Sequence, residues 1–245
     1  MAAERGLRIG TFAGAPIIVD PTILLLAAYV VGTSVMDGGM AALPFSLAFL
    51  GALLLGVLLH EFGHAGVAAA LQLKSKRIVL TFFGGHVEFE RQPEKRWQDI
   101  AVSFAGPAVN LATFAILVYG PLAGPDIEAD PFGAHETNQL LTLFLGYLAN
   151  VSLLLGLFNL LPGFPLDGGR ILSAALSYLM SRQRALFVTA CFGLVIALCV
   201  MAWAAWQQRW FTLVIGVLLA GAAWAEIRRA REAMNQPPSP TISNA

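Results

Sequence analysis

Long apolar runs, almost free of charge, recur along the chain at 22–36, 43–73, 100–122, 139–161, 185–206 and 210–227. A helix needs about 20 mostly apolar residues to cross a hydrocarbon core of roughly 30 Å. The pattern therefore predicts an all-α polytopic membrane protein with about six transmembrane helices. The first run is short for a span and the second over-long, and only Gln207, Gln208 and Arg209 separate the last two. A different pattern appears at 77–90, where β-branched and aromatic residues flank Gly84-Gly85, predicting a membrane-associated β-hairpin about those glycines. Residues 7–19 carry a weaker version of the same signal. The spans and strands are expected to form a single domain over 1–235. The stretch 236–245, with Pro237, Pro238 and Pro240, is expected to be a disordered tail.

Composition agrees with a bilayer environment. Hydrophobic residues make up 57% of the 245, charged residues 12%, and the mean hydropathy is +0.70; soluble domains carry about 25% charge. Fifteen Lys and Arg balance fifteen Asp and Glu, so no basic surface is available to hold nucleic acid. Cys191 and Cys199 lie in one apolar run, about 12 Å apart along a helix, too far to bridge. Cationic residues are retained on the cytoplasmic side of inserted helices. With six spans, every Lys and Arg except Arg209 falls on one side, which predicts a multi-pass protein of the cytoplasmic membrane with both termini inside. The loop 120–138, with four acidic residues and no cation, is expected to face outward. No cleavable signal peptide is expected, because Gly14, Pro16 and Asp20 interrupt the first twenty residues.

Ionisable groups inside spans cost about 2.5–3.5 kcal/mol each and by default mark function. The second run contains three of them within His60-Glu61-Phe62-Gly63-His64. On a helix, residues four apart share a face, so both imidazoles can bind one metal ion while Glu61, one step round, reaches toward its open position. Nitrogen and oxygen donors with one site open to water suit zinc. A metal that acidifies bound water, beside a carboxylate that moves its proton, points to peptide hydrolysis. A hydrolytic zinc usually has three protein ligands. Asp20, Asp37, His135 and Glu136 sit at span ends or in the outward loop, which leaves Asp167 as the best-placed candidate. Asp167 follows Pro162 and Pro165, which break a helix, and precedes Gly168-Gly169, which permit a tight turn.

The segment His60–His64, taken with Asn159 to Gly169 reading NLLPGFPLDGG, resembles the site-2 protease family of intramembrane zinc metalloproteases. Ser103 to Asn110, with its Gly106-Pro107 and Asn110, is similar to a further element of that family. The resemblance covers about residues 7 to 180. It implies zinc held by His60, His64 and Asp167, and Glu61 as general base. It also implies a substrate contact at Asn159 and strand pairing of an unwound substrate at the Gly84-Gly85 hairpin. His86 is expected to be an interfacial histidine without a metal contact. The PDZ or nucleotide-binding modules of many family members have no counterpart within these 245 residues, so substrate selection is expected to fall to the membrane part or to partners.

The expected function is a zinc-dependent endopeptidase that cuts within or next to a transmembrane segment of a membrane protein, in regulated proteolysis or in clearance of signal-peptide remnants. The alternative is a non-enzymatic metal carrier or permease, since buried His and Asp can also line an ion path. A carrier would spread its ligands over several spans. An inactive relative that only binds membrane proteins would not need Glu61.

Overall fold

The computed structural model describes residues 6–120 and 139–235. The expected outward loop, apart from Gly120, and the expected disordered tail lie outside the described residues. The chain divides into two compact units, Met1–Asn159 and Leu160–Ala245.

The first unit starts with two strands, β1 (Leu7–Phe12) and β2 (Ala15–Val19), and two helices, α1 (Ile23–Gly38) and α2 (Leu43–Ala70). Strands β3 (Ser75–Thr81) and β4 (Gly84–Phe89) follow, then helices α3 (Arg96–Tyr119) and α4 (Gln139–Asn159). Among the described residues, five stretches are long and apolar enough to cross a membrane. The first two apolar runs count as one of these, the 48-residue stretch Ile23–Ala70, interrupted by a 3₁₀ turn at Gly39–Ala42. With 16 residues, α1 reaches only about 24 Å, short of a full span. Gly39 has φ 66°, a conformation that L side chains rarely adopt, and it breaks the helix there.

The four strands form one sheet in the order β1-β2-β3-β4. The β1–β2 hairpin turns at Ala13-Gly14, both at positive φ as a two-residue turn matched to strand twist requires. β2 and β3 pair in parallel, and α1 and α2 supply the long crossover that parallel pairing needs. The predicted hairpin is present as β3–β4, but it turns at Phe82-Phe83, and Gly84-Gly85 open the second strand. Thr81 explains the shift. Its hydroxyl accepts from the Phe83 N–H (3.2 Å) and donates to the Gly84 carbonyl (3.1 Å), which closes the turn, and Gly84 leaves it at φ 123°.

One face of the sheet lies on α2. Ala15, Ile17, Ala65 and Ile78 form a buried cluster flanked by Phe12, Leu58, Phe62 and Val87, with the Phe12 and Phe62 rings stacked at 4.1 Å. α2, α3 and α4 pack on one another in a three-helix core. Glycines set the approach. A Cβ on Gly63 would lie 2.5 Å from the Ala105 carbonyl oxygen, and one on Gly156 would lie 3.2 Å from that of Pro107. Outward, the same helices expose Leu47, Phe104, Ile116, Leu154 and Leu157. Apolar side chains outside and small or polar ones inside are the arrangement expected in lipid.

In the second unit, α5 (Asp167–Leu176) is followed by α6 (Arg182–Trp206) and α7 (Trp210–Asn235). α6 and α7 pack closely through Ala197, Gly216 and Met201. The α6 N-terminus is capped by the Ser181 hydroxyl, which accepts from the Arg184 N–H. Trp206 and Trp210 stand exposed at the α6–α7 junction, as interfacial anchors would.

Two predictions follow from the first unit. Gly63→Ala forces α2 and α3 apart at backbone level, so unfolding in mild detergent should show a loss of about 1–3 kcal/mol. Arg77 donates to Glu88 across β3–β4 at 2.6 Å. This hydrogen bond, aided by the charges of Arg77, His86 and Lys76 and opposed by partial burial, holds the Glu88 carboxyl below its usual value. The stabilisation is therefore complete above the ordinary glutamate range and fades as pH falls through Glu88's folded value. With both groups about a third exposed, Arg77→Ala should cost at most about 1 kcal/mol, or roughly fivefold in β4 amide protection at pH 7. Hydrogen exchange of the two proteins should converge on acidification.

Candidate metal centre

α2 carries His60, Glu61 and His64, each more than nine-tenths buried. The two imidazoles meet edge to face with centroids 4.7 Å apart, and their Nε2 atoms converge to 3.1 Å. His64 is oriented by α3: its Nδ1 lies 2.7 Å from the Val102 carbonyl oxygen. A ring nitrogen facing a carbonyl carries the proton, so Nε2 keeps its lone pair. The glycine at 106 makes room for both rings, because a Cβ there would collide with Nε2 and Cε1 of His64 and with Nε2 of His60.

Glu61 is turned about 100° from His60 around the helix axis and meets the sheet instead. A Cβ on Gly85 would lie 2.5 Å from the Glu61 Cγ and 2.7 Å from its Oε1, so the carboxylate rests on the bare backbone of β4. α2 thus presents its nitrogen donors to α3 and its carboxylate to the edge strand.

The donors fit zinc. A tetrahedral ion with Zn–N bonds of about 2.05 Å separates two nitrogens by about 3.3 Å, close to the 3.1 Å seen here. His60, His64 and Asp167 each offer a ligand atom, and the three atoms lie within 4.8 Å of one another.

Locally, α4 ends at Asn159 and the backbone is non-helical from 160 to 166, as the prolines predict. Asp167 is the first residue of α5, preceded by an extended Leu166. Gly168 and Gly169 do not make the expected tight turn; they form the first helical turn. A Cβ on Gly168 would strike the Leu160 and Leu161 carbonyls, and one on Gly169 the Gly163 backbone, so here the glycines allow helix and loop to touch.

The remaining predicted residues are also located. Asn159 donates from Nδ2 to the Leu155 carbonyl at 3.0 Å. His86 is exposed on the sheet face away from Gly85, with Nε2 3.7 Å from Glu88 Oε1, and is outside the possible metal group. The supporting glycines at 63 and 106 were not singled out for this purpose from the sequence. Their signal is the small residue within a span that also carries polar groups.

The model of Peptidase family M50 matches residues 48–126 and 120–202, which include the motif on α2 and Asp167, and the chain belongs to this family. A Synechocystis protein provisionally named a zinc metalloprotease is 34% identical over 190 residues, covering 74% of this chain and 46% of its own. A zinc metalloprotease of Methanocaldococcus jannaschii is 28% identical over 224 residues, covering 91% of this chain and 60% of its own. The chain spans about half the length of the curated relatives it matches. Among solved structures, the site-2 protease from Methanocaldococcus jannaschii superposes with a TM-score of 0.66 at 26% identity, covering 91% of this chain and 95% of that one.

The two glycine contacts allow the imidazole pair and Glu61 to be perturbed separately. Gly106→Ala should displace the imidazoles and weaken zinc binding by about 10–100-fold, measured by chelator competition. Gly85→Ala should leave zinc content unchanged and displace only Glu61, lowering turnover of a cleavable substrate by at least about tenfold.

Proposed function

We propose that the chain is a zinc-dependent intramembrane endopeptidase, hydrolysing a peptide bond within or beside a transmembrane segment of another membrane protein. The observation that carries this reading is the pair of convergent Nε2 atoms with a buried carboxylate at the next helix position. In this reading His60, His64 and Asp167 hold one zinc ion and residues 1–235 act as one peptidase domain. When bound, zinc lowers the pKa of its water and polarises the scissile carbonyl.

Glu61 accepts the proton of the attacking water as oxygen bonds to the carbonyl carbon, and returns it to the amine nitrogen as the C–N bond breaks. Its position against Gly85 keeps the carboxylate from swinging away. The substrate is recognised as an extended strand. A transmembrane helix hides its amides, so it must unwind locally before hydrolysis, and the freed N–H and C=O groups then need partners. β4 lies at the end of the sheet order and offers a row of such groups. Gly84 and Gly85 permit close approach of the peptide there, and Asn159 contributes its carbonyl oxygen to the substrate. The enzyme works in the cytoplasmic membrane with both termini inside, as the cation distribution indicates. Its substrates are membrane-tethered regulators or remnant signal peptides.

The test uses the purified protein in liposomes with a panel of transmembrane peptides. The parent protein should cleave some of them and carry one zinc ion per chain. Glu61→Gln should keep the zinc and lose about 10²–10⁴-fold in turnover. Ala at His60, His64 or Asp167 should release the zinc. Zinc-bound protein that cuts nothing and behaves like Glu61→Gln would sink the peptidase reading, and metal flux unaffected by Glu61→Gln would favour a carrier. Full zinc occupancy in Asp167→Ala would assign the third ligand elsewhere.

A further inference from the structure

The three-helix core of the first unit contains polar groups that the metal centre does not use. Asn110 of α3 is fully buried, and neither its Nδ2 nor its Oδ1 has a hydrogen-bond partner among the described residues. Ser152 of α4 is likewise fully buried with its Oγ unpartnered. The two belong to one neighbourhood. Asn110 is one turn from Gly106 and three residues from Pro107; Ser152 is one turn from Gly156, and Gly156 packs against Pro107 and Leu111. On the α2 side, a Cβ on Gly56 would lie 3.0 Å from Val151 and 3.9 Å from the Ser152 hydroxyl, so the bare backbone of α2 comes close to that hydroxyl.

A buried amide can donate two hydrogen bonds and accept two, and a hydroxyl can do both. Side chains of this kind, enclosed by apolar helices, are ordinarily satisfied by internal water where the pocket is polar and large enough. We propose that Asn110 and Ser152 form a hydration site, holding ordered water inside the α2–α3–α4 core. A Cβ on Gly106, one turn from Asn110, would collide with both His Nε2 atoms, which places this water about one helical turn from the imidazole pair. Resting on the peptidase reading, the site is a local store for a reaction that consumes one water per bond in a medium that holds almost none. The hydration itself stands without that reading.

X-ray hydroxyl-radical footprinting of the intact protein in nanodiscs tests it, because radicals also form from bound water and label the side chains beside it. Pro107 and Leu148 are buried reporters at the site, while Ile78, in the apolar cluster under the sheet, is a buried control. The expected result is labelling of Pro107 and Leu148 with no labelling of Ile78, and incorporation of ¹⁸O only after a delay when the solvent is switched to labelled water. The Asn110→Leu/Ser152→Ala double variant should lose at least about fivefold of that labelling. Parent protein in which both reporters stay unlabelled, or in which Ile78 is labelled equally, overturns the proposal, whether or not the variant folds. Absence of peptidase activity with the footprint intact would count against the peptidase reading alone.

Discussion

The first unit is organised around the burial of two imidazoles and a carboxylate on a single helix. A helix in lipid satisfies its own backbone, so α2 is stable as a span whatever surrounds it; its three polar side chains are not, and each must find a partner within the protein. His64 finds the Val102 carbonyl, the two Nε2 atoms face each other at 3.1 Å, and Glu61 lies on β4. Packing and chemistry are coupled as a result. The glycine contacts that bring α2 against α3 also shape the space in which the two rings converge. A change that loosens helix packing therefore reaches the geometry of the imidazole pair directly.

The sheet serves the same end by a longer route. β2 and β3 are joined in parallel across the whole of α1 and α2, which ties the sheet to the helix that bears the motif. The apolar cluster of Ala15, Ile17, Ala65 and Ile78 fixes the sheet against α2 one turn beyond Glu61. Side chains alternate along β4, so Gly85 and Val87 face α2 while His86 and Glu88 face away. A one-residue slip of register would turn Gly85 outward and put His86 where the Glu61 carboxylate now lies. The Arg77–Glu88 pair, on the outer face, guards against that slip.

Much of this was legible in the sequence because it is local. Apolar run length sets the spans, and four-residue spacing places His60 and His64 on one helix face. The prolines at 162 and 165 mark where the helix stops. What could not be read depends on contacts between distant segments. The hairpin turns at Phe82-Phe83 because the Thr81 hydroxyl closes the turn, and a glycine pair alone did not reveal that. Gly168-Gly169 have the composition of a turn, yet their role is to meet backbone carbonyls six to eight residues earlier, which propensity does not encode. Likewise the contacts of Gly106 with the imidazoles and of Gly85 with Glu61 are apparent only once α2 is placed against them. The merging of the first two apolar runs follows from a short helix and a 3₁₀ break that hydropathy averages away.

The position of Glu61 joins the two halves of the proposed reaction. A general base has to stand both at the metal and at the peptide bond being cut, and in a membrane the peptide cannot be held by water or left with open backbone groups. Because α2 turns by about 100° per residue, imidazoles at 60 and 64 toward α3 put residue 61 toward the sheet, and the sheet strand it meets is the one at the end of the strand order. Under the proposed reading, a peptide added to β4 would run beside the carboxylate without further rearrangement of α2. A carrier has no use for that coincidence, since an ion path requires neither a strand edge nor a carboxylate pressed against one. Under that reading, the spacing of a five-residue motif and the order of a four-stranded sheet serve one requirement, which is to bring water, base and unwound peptide together inside lipid.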